Sequence, residues 1–246
     1  MSKILQGLDL QRKSNYLRLM ILFFAVLAPI ILLRNGIFGS FVFTFSIPLL
    51  WQVSLKGKPL SSLGLSRRFL GRSIFSGLVT GAVIALVCAA ALNLFGIRGY
   101  VFSSIHKLEY SLGAMKISFS LERELGYRLL TASNSARGFL LYLLFSILAI
   151  GLGEELFWRG FIQKKLSGRF KENLSIWLSA ILYGLSHFYI FLILPARSAI
   201  IFLAGIVVIG AFWGYLFKFC RNIWAPAISH GLVAFIIWKY YFFTSS

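Results

Sequence analysis

A chain of 246 residues, 59% of them hydrophobic, carries 25 Lys+Arg against 7 Asp+Glu, a formal net charge of +18. Soluble domains run about 45–50% apolar, so this composition, with a mean hydropathy of +0.83, excludes an ordinary water-soluble domain and points to an integral membrane protein. So strong a positive balance would suggest nucleic acid in a soluble protein. Here the basic residues sit between long apolar runs, where they orient helices against anionic lipid, and no nucleic-acid partner is expected.

Seven apolar segments are read at 16–33, 37–55, 69–95, 136–157, 174–194, 199–217 and 223–243, each near the roughly 20 residues that span a bilayer. The runs lack strand-like alternation, so the spans are helices rather than barrel strands. The expected fold class is all-α, a polytopic transmembrane helical bundle of about seven to eight helices, with residues 1–246 forming a single integral membrane domain. The first run is too long for a signal-peptide core and shows no small-residue cleavage site, so it is read as a retained helix. The fourth continues past Arg159, because GFIQKKL holds no breaker before Gly168. Cys88 lies inside an apolar run and Cys220 just before Arg221; neither position indicates a disulfide or a metal knot.

Between the third and fourth segments lies a long connection, 96–135, holding His106, Glu109, Glu122 and Glu124. Structureless loops of that length are uncommon in compact proteins. YSLGAMKISFSLERELGYRLL reads either as an amphipathic helix at the interface or as part of a solvated cap. The larger share of the basic residues falls in four groups: Lys3, Arg12, Lys13 and Arg18; Lys56, Lys58, Arg67, Arg68 and Arg72; Arg159, Lys164, Lys165, Arg169 and Lys171; Lys218 and Arg221. The positive-inside rule then places the N-terminus in the cytoplasm, the C-terminus outside and EELFWRG in the cytoplasmic part of the fourth helix. The expected location is a multi-pass position in a bacterial plasma membrane.

Ionisable groups inside a bilayer are costly and usually functional. Four stand out: Glu154 and Glu155 on the fourth segment, His187 on the fifth and His230 on the seventh. Glu154 and His187 each lie roughly 20 Å along their helices from the turn near Gly168, and His230 lies about 13 Å past Arg221. Helix tilt absorbs the difference, so one carboxylate and two imidazoles can meet in one cytoplasm-facing cavity. One glutamate and one histidine can hold a water and take its proton, and a second histidine can donate to the oxyanion that forms. That is hydrolysis of a carbonyl compound, most simply a peptide. Glu155 and Arg159, four apart, are neighbours on a helix face and form an ion pair that balances a membrane-buried charge. The bland alternatives are a purely structural ion pair, histidines that only join helices, and glycines at 151, 153 and 184 that only permit close packing. Zinc is the other way to activate water; Glu154, His187 and His230 could supply three ligands, but no H-E-x-x-H occurs. The glutamate mechanism is favoured, with no cofactor.

At these residues the chain resembles a known family. EELFWR at 154–159 matches E-E-x-x-x-R, YGLSH at 183–187 fits F-x-x-x-H with tyrosine in place of phenylalanine, and NIWAPAISHGLVA at 222–234 carries the histidine of a third motif. Three motifs in this order resemble the CAAX protease and bacteriocin-processing (CPBP, or Abi) family of intramembrane proteases, which includes type II CAAX prenyl endopeptidases. The resemblance spans a core at 137–240. It implies Glu154 as the base that activates water, His187 beside it, His230 in the oxyanion hole, Glu155 and Arg159 in support, and a membrane-anchored peptide or protein as substrate within the lipid bilayer. One position departs: the family often has asparagine four residues after the third-motif histidine, where this chain has Ala234. Loss of one oxyanion donor costs about 10²–10³ in rate. Two other functions share the same features: a non-catalytic membrane scaffold or bacteriocin-immunity protein of the same fold, and a small-solute transporter, whose mark would be broken helices in paired halves.

Overall fold

The computed structural model describes residues 57, 59–95, 107–112, 115–120, 131–192 and 194–239, with the isolated positions Pro48 and Arg128. Apart from Pro48, the expected segments at 16–33 and 37–55 lie outside the described residues, and so does the retained first helix. Among the described residues there are five helices: α1 (Leu70–Leu94), α2 (Ala136–Ser167), α3 (Glu172–Ser186), α4 (Ala196–Cys220) and α5 (Trp224–Ile237). Short 3₁₀ turns occupy Leu60–Leu63 and Phe188–Leu192.

Three of these helices, α1, α2 and α4, with 25, 32 and 25 residues, are long and apolar enough to cross a membrane. That fits an integral membrane protein. One is shorter than expected. α3 has 15 residues, so it rises only about 22 Å against a hydrocarbon core of about 30 Å; the last residues of the span expected over 223–243 lie outside the described residues. The segment expected as one span over 174–194 is interrupted at His187. The cause is local: Ser186 Oγ donates to the Tyr183 carbonyl at 2.7 Å, and His187 Nδ1 lies 2.9 Å from the same oxygen. Side chains that satisfy a last-turn carbonyl end a helix instead of extending it.

The described architecture is helical, as expected, with one short strand pair that the sequence reading did not foresee. β1 (Lys107–Leu112) and β2 (Met115–Ser120) form an antiparallel two-stranded ribbon, with Lys107 opposite Ser120 and Leu112 opposite Met115. Residues 107–112 and 115–120 are therefore strands, not the amphipathic helix read as one alternative there. The reason is a period of two that 3.6-residue reasoning passes over: Leu108, Tyr110 and Leu112 alternate with Lys107, Glu109 and Ser111. The register sets Leu108 opposite Phe119 and Tyr110 opposite Ile117, so apolar residues pair with apolar ones.

α2 runs past Arg159 to Ser167, as its lack of a breaker predicts, and turns at Gly168. It opens on Ser135, whose side chain accepts from the Gly138 N–H at 3.1 Å, an N-cap of the usual kind. Its hydrogen bonding widens to the π pattern over Ser146–Leu152 and again over Leu156–Gln163, leaving Gly153–Glu155 as a single α turn between them. Such widened turns occur often at functional sites.

α5 lies between α1 and the first half of α2. On α1 the face toward it carries Ser73, Gly77, Gly81, Ala85 and Ala89, all buried, while Phe75, Leu86 and Val87 are exposed on the other side. Apart from Ile84 and Leu92, the buried residues of α1 are small, the arrangement expected where helices pack closely and lipid is the solvent. The α2–α5 crossing is closer still. A Cβ on Gly231 would sit 2.5 Å from Ile147 Cα, and one on Gly151 would strike the Ala227 carbonyl oxygen. α3 packs on α4 and is tied to α2 by Ser179 Oγ, which donates to the Trp158 carbonyl at 3.1 Å. Asn222 fixes where α5 starts: its Nδ2 donates to the carbonyls of Ser66 and Arg68, at 2.9 and 3.0 Å, and its Oδ1 accepts the Trp224 N–H.

Candidate active site

The site is built on the α turn of α2. Glu155 and Arg159 both point into the bundle, with 0% and 1% side-chain exposure, and Arg159 Nη1 donates to Glu155 Oε1 at 2.7 Å. Burying a guanidinium requires that its other donors be met as well. Nη2 donates to the Gly210 carbonyl of α4 at 2.6 Å, and the planar group lies over the rings of Tyr183 and Trp213, 5.2 and 5.6 Å from their centroids. Gly210 is what lets the guanidinium reach backbone, since a Cβ there would meet Tyr183 Cδ1 at 3.0 Å and Nη2 at 3.4 Å.

Glu155 serves a second partner. His230 Nδ1 lies 2.9 Å from the same Oε1. A carboxylate paired with arginine is ionised and can only accept, so the network assigns the proton to Nδ1. The imidazole stacks on the Trp213 indole, centroids 4.0 Å apart and planes 20° apart, and Trp213 Nε1 donates to Ser229 Oγ at 3.1 Å. With one face stacked and Nδ1 held, the direction of Nε2 is set. It lies 3.4 Å from the Tyr183 hydroxyl and 3.9 Å from Glu154 Oε2.

Glu154 has a different environment from its neighbour. Its side chain is 21% exposed, yet Oε2 is buried and makes no hydrogen bond among the described residues. His187 caps α3 with its Nδ1 on the Tyr183 carbonyl, which leaves Nε2 as the acceptor nitrogen of the neutral ring. Its ring meets that of Tyr183 edge-on at 4.7 Å, and Glu154 and His230 are both within its electrostatic reach.

The expected site residues thus come together, in an arrangement the sequence did not specify. Glu154, Glu155, Arg159 and His230 form one cluster, and His187 joins it across the Tyr183 ring. Glu155 does more than pair with Arg159, since it also holds His230. Two members escaped sequence reasoning. Tyr183 stands in the second motif where the pattern has phenylalanine, and that substitution was the available signal. Trp213 carried none, being one aromatic among many in an apolar segment. Ala234, one turn beyond His230, is a buried core residue that offers no polar group. Among the described residues no three His, Cys, Asp or Glu side chains are placed to hold a metal ion.

Membrane-length helices closed around a buried glutamate–arginine–histidine cluster define a helical membrane protein with a polar site inside its bundle. Residues 136–236 match the family model described as type II CAAX prenyl endopeptidase Rce1-like. That segment runs from the start of α2 nearly to the end of α5 and contains every residue of the cluster, so over it the resemblance to the CAAX protease family holds. No curated protein and no solved structure matches the chain. The family is one of CAAX-type proteases, which makes a peptide the substrate class to which the match points.

Proposed function

We propose that this protein is an intramembrane endopeptidase that hydrolyses a peptide bond of a membrane-associated peptide or protein. Glu154 activates the water, His187 helps to hold it, and His230 donates to the carbonyl oxygen. One observation carries the reading. Both adjacent glutamates keep a buried Oε2 without a hydrogen-bond partner among the described residues, but Glu155 is fully buried and committed through Oε1 to Arg159 and His230, while Glu154 is 21% exposed, within reach of water, with its Oε2 3.9 Å from His230 Nε2. A buried carboxylate oxygen left unpaired is costly, and a site for water is a use that accounts for the cost.

The proton inventory follows from the charges. Glu155 balances Arg159, and Glu154 is balanced if His230 is the imidazolium, so the cluster is neutral overall. In that form Nδ1 donates to Glu155 and Nε2–H is available to the carbonyl oxygen. Glu154 takes a proton from water as the oxygen adds to the carbonyl carbon. The electron pair moves to the carbonyl oxygen, which His230 Nε2–H stabilises. Collapse breaks the C–N bond, and the proton on Glu154 goes to the leaving nitrogen.

The test compares membrane-protein termini between cells carrying the wild type and cells carrying Glu154→Gln. Termini formed only with the wild type are expected; identical sets would overturn the protease reading. A non-catalytic scaffold or bacteriocin-immunity protein of the same fold is the second reading. Ala234 favours it, because the position where the family often supplies a further donor is here a buried methyl group. Hydrolysis is expected to survive exhaustive chelation. Loss on chelation, restored by zinc, would favour a metallo-type site instead. The N-terminus is proposed to lie in the cytoplasm of a bacterial cell, and this orientation would open the site inward.

A further inference from the structure

The resting geometry holds a contradiction that Tyr183 resolves. If His230 is an imidazolium beside the Glu154 carboxylate, their attraction in a dry site should close the pair to about 2.7–2.9 Å, the length of a charge-assisted bond. The observed separation is 3.9 Å, and Glu154 Oε2 is left without a hydrogen bond among the described residues. Nε2 has one nearer oxygen, the Tyr183 hydroxyl at 3.4 Å. Both side chains are buried, Tyr183 at 4% exposure and His230 at 6%, and a buried phenol needs a polar partner. The Tyr183 ring is itself pinned, edge-on to Trp158 at 5.4 Å and to His187 at 4.7 Å, under the Arg159 guanidinium. Its oxygen is therefore presented at a set place.

We propose that Tyr183 is a positioning residue whose hydroxyl oxygen accepts the His230 Nε2–H in the resting site, holding the imidazolium off Glu154 so that the carboxylate stays available to water. The proposal rests on the assignment of Glu154 as base. The hydroxyl occupies the acceptor position that the substrate carbonyl oxygen takes over, so the imidazolium is aligned before substrate arrives. Without it, Nε2–H turns to Glu154 and the base is tied up in an ion pair.

The test is Tyr183→Phe in the full-length protein, which keeps every ring contact and removes one oxygen. The chain has three histidines, His106, His187 and His230, so ¹⁵N-histidine labelling in detergent micelles gives a spectrum in which loss of one signal in His230→Gln assigns the site. In Tyr183→Phe the His230 Nε2–H resonance is expected to move downfield, as its acceptor changes from a hydroxyl to a carboxylate, and adding Glu154→Gln should reverse the move. Turnover is followed on a membrane-protein terminus that distinguishes wild type from Glu154→Gln. There kcat is expected to fall roughly 10–100-fold, part of the 10²–10⁴ that a general base supplies, with KM and melting midpoint unchanged. An unmoved Nε2–H resonance, or an unchanged kcat, overturns the proposal. If no terminus depends on Glu154 the protease reading fails separately, and the resonance alone decides whether the hydroxyl holds His230.

Discussion

Two glutamates adjacent in sequence meet different surroundings because their side chains leave the helix about 100° apart. Glu155 faces inward to Arg159 and His230; Glu154 faces the side that is 21% exposed. Their isosteric variants should therefore fail in different ways. Glu154→Gln removes a proton acceptor but breaks no direct hydrogen bond, its oxygen lying 3.9 Å from His230 Nε2, so product formation should fall by about 10²–10⁴ while the amount of folded protein changes little. Glu155→Gln strands Arg159 as an uncompensated buried charge, a loss of about 3–5 kcal/mol, and also frees His230 Nδ1. Abundance, melting midpoint and turnover should all drop. Product formed per folded molecule, measured alongside thermal unfolding in detergent, separates the two, and wild-type turnover in Glu154→Gln would remove the protease reading.

At the scale of elements, the depth and rotation of α5 decide whether His230 meets α2 at all. The crossing is set by Gly151 and Gly231, where the two backbones touch. Gly231→Ala puts a Cβ 2.5 Å from Ile147 Cα and 2.8 Å from the Ser146 carbonyl, and backbone cannot yield as a flexible side-chain end can. Gly151→Ala and Gly231→Ala should each cost about 1–3 kcal/mol or more and lower turnover, since His230 lies one residue from the contact. Gly71 in α1 and Gly205 in α4 are matched controls, with nothing within 4 Å of an added Cβ; alanine there should be neutral or gain up to about 1 kcal/mol of helix propensity. Chemical denaturation of the four variants checks the contrast, and equal effects would mean that the crossing is not what fixes the site. The end of α3 bears on the proposed site as well, because the contact that stops the helix at His187 is the one that assigns which ring nitrogen carries a proton.

At the scale of the molecule, Arg72, Lys164 and Lys218, three of the described basic residues that separate apolar runs in sequence, lie at one end of the bundle. Arg72 lies over the Phe219 ring at 4.6 Å, Lys164 donates to the Ser62 carbonyl at 2.8 Å and Lys218 pairs with Glu172 at 2.9 Å. These contacts bring together the start of α1, the end of α2, the start of α3 and the end of α4. One strongly positive end is the pattern that orients a membrane protein. The proposed topology therefore predicts that single cysteines at positions 2 and 246 react from opposite sides of the membrane, the first from the cytoplasm. Labelling of both from one side would require an even number of spans.

What the sequence determined by itself was what local covalent geometry and transfer energetics dictate. Three of the long apolar runs are helices of membrane-crossing length, α2 had no residue to stop it before Gly168, and Glu155 and Arg159, four apart on a helix, had to be neighbours. The alternation in 107–112 and 115–120 is equally legible, at a period of two rather than 3.6. Contacts between distant segments were not legible. His230 on Glu155 joins residues 75 apart and Arg159 on Gly210 joins residues 51 apart; Tyr183 and Trp213 enter the site only through how α3 and α4 are rotated. Rotation and depth follow from which small residues allow backbones to touch, at Gly151 against Gly231 and along the α1 face. That choice is made by the packing of whole helices, so only the tertiary structure could decide which glutamate holds a histidine and which is left to the water of the proposed mechanism.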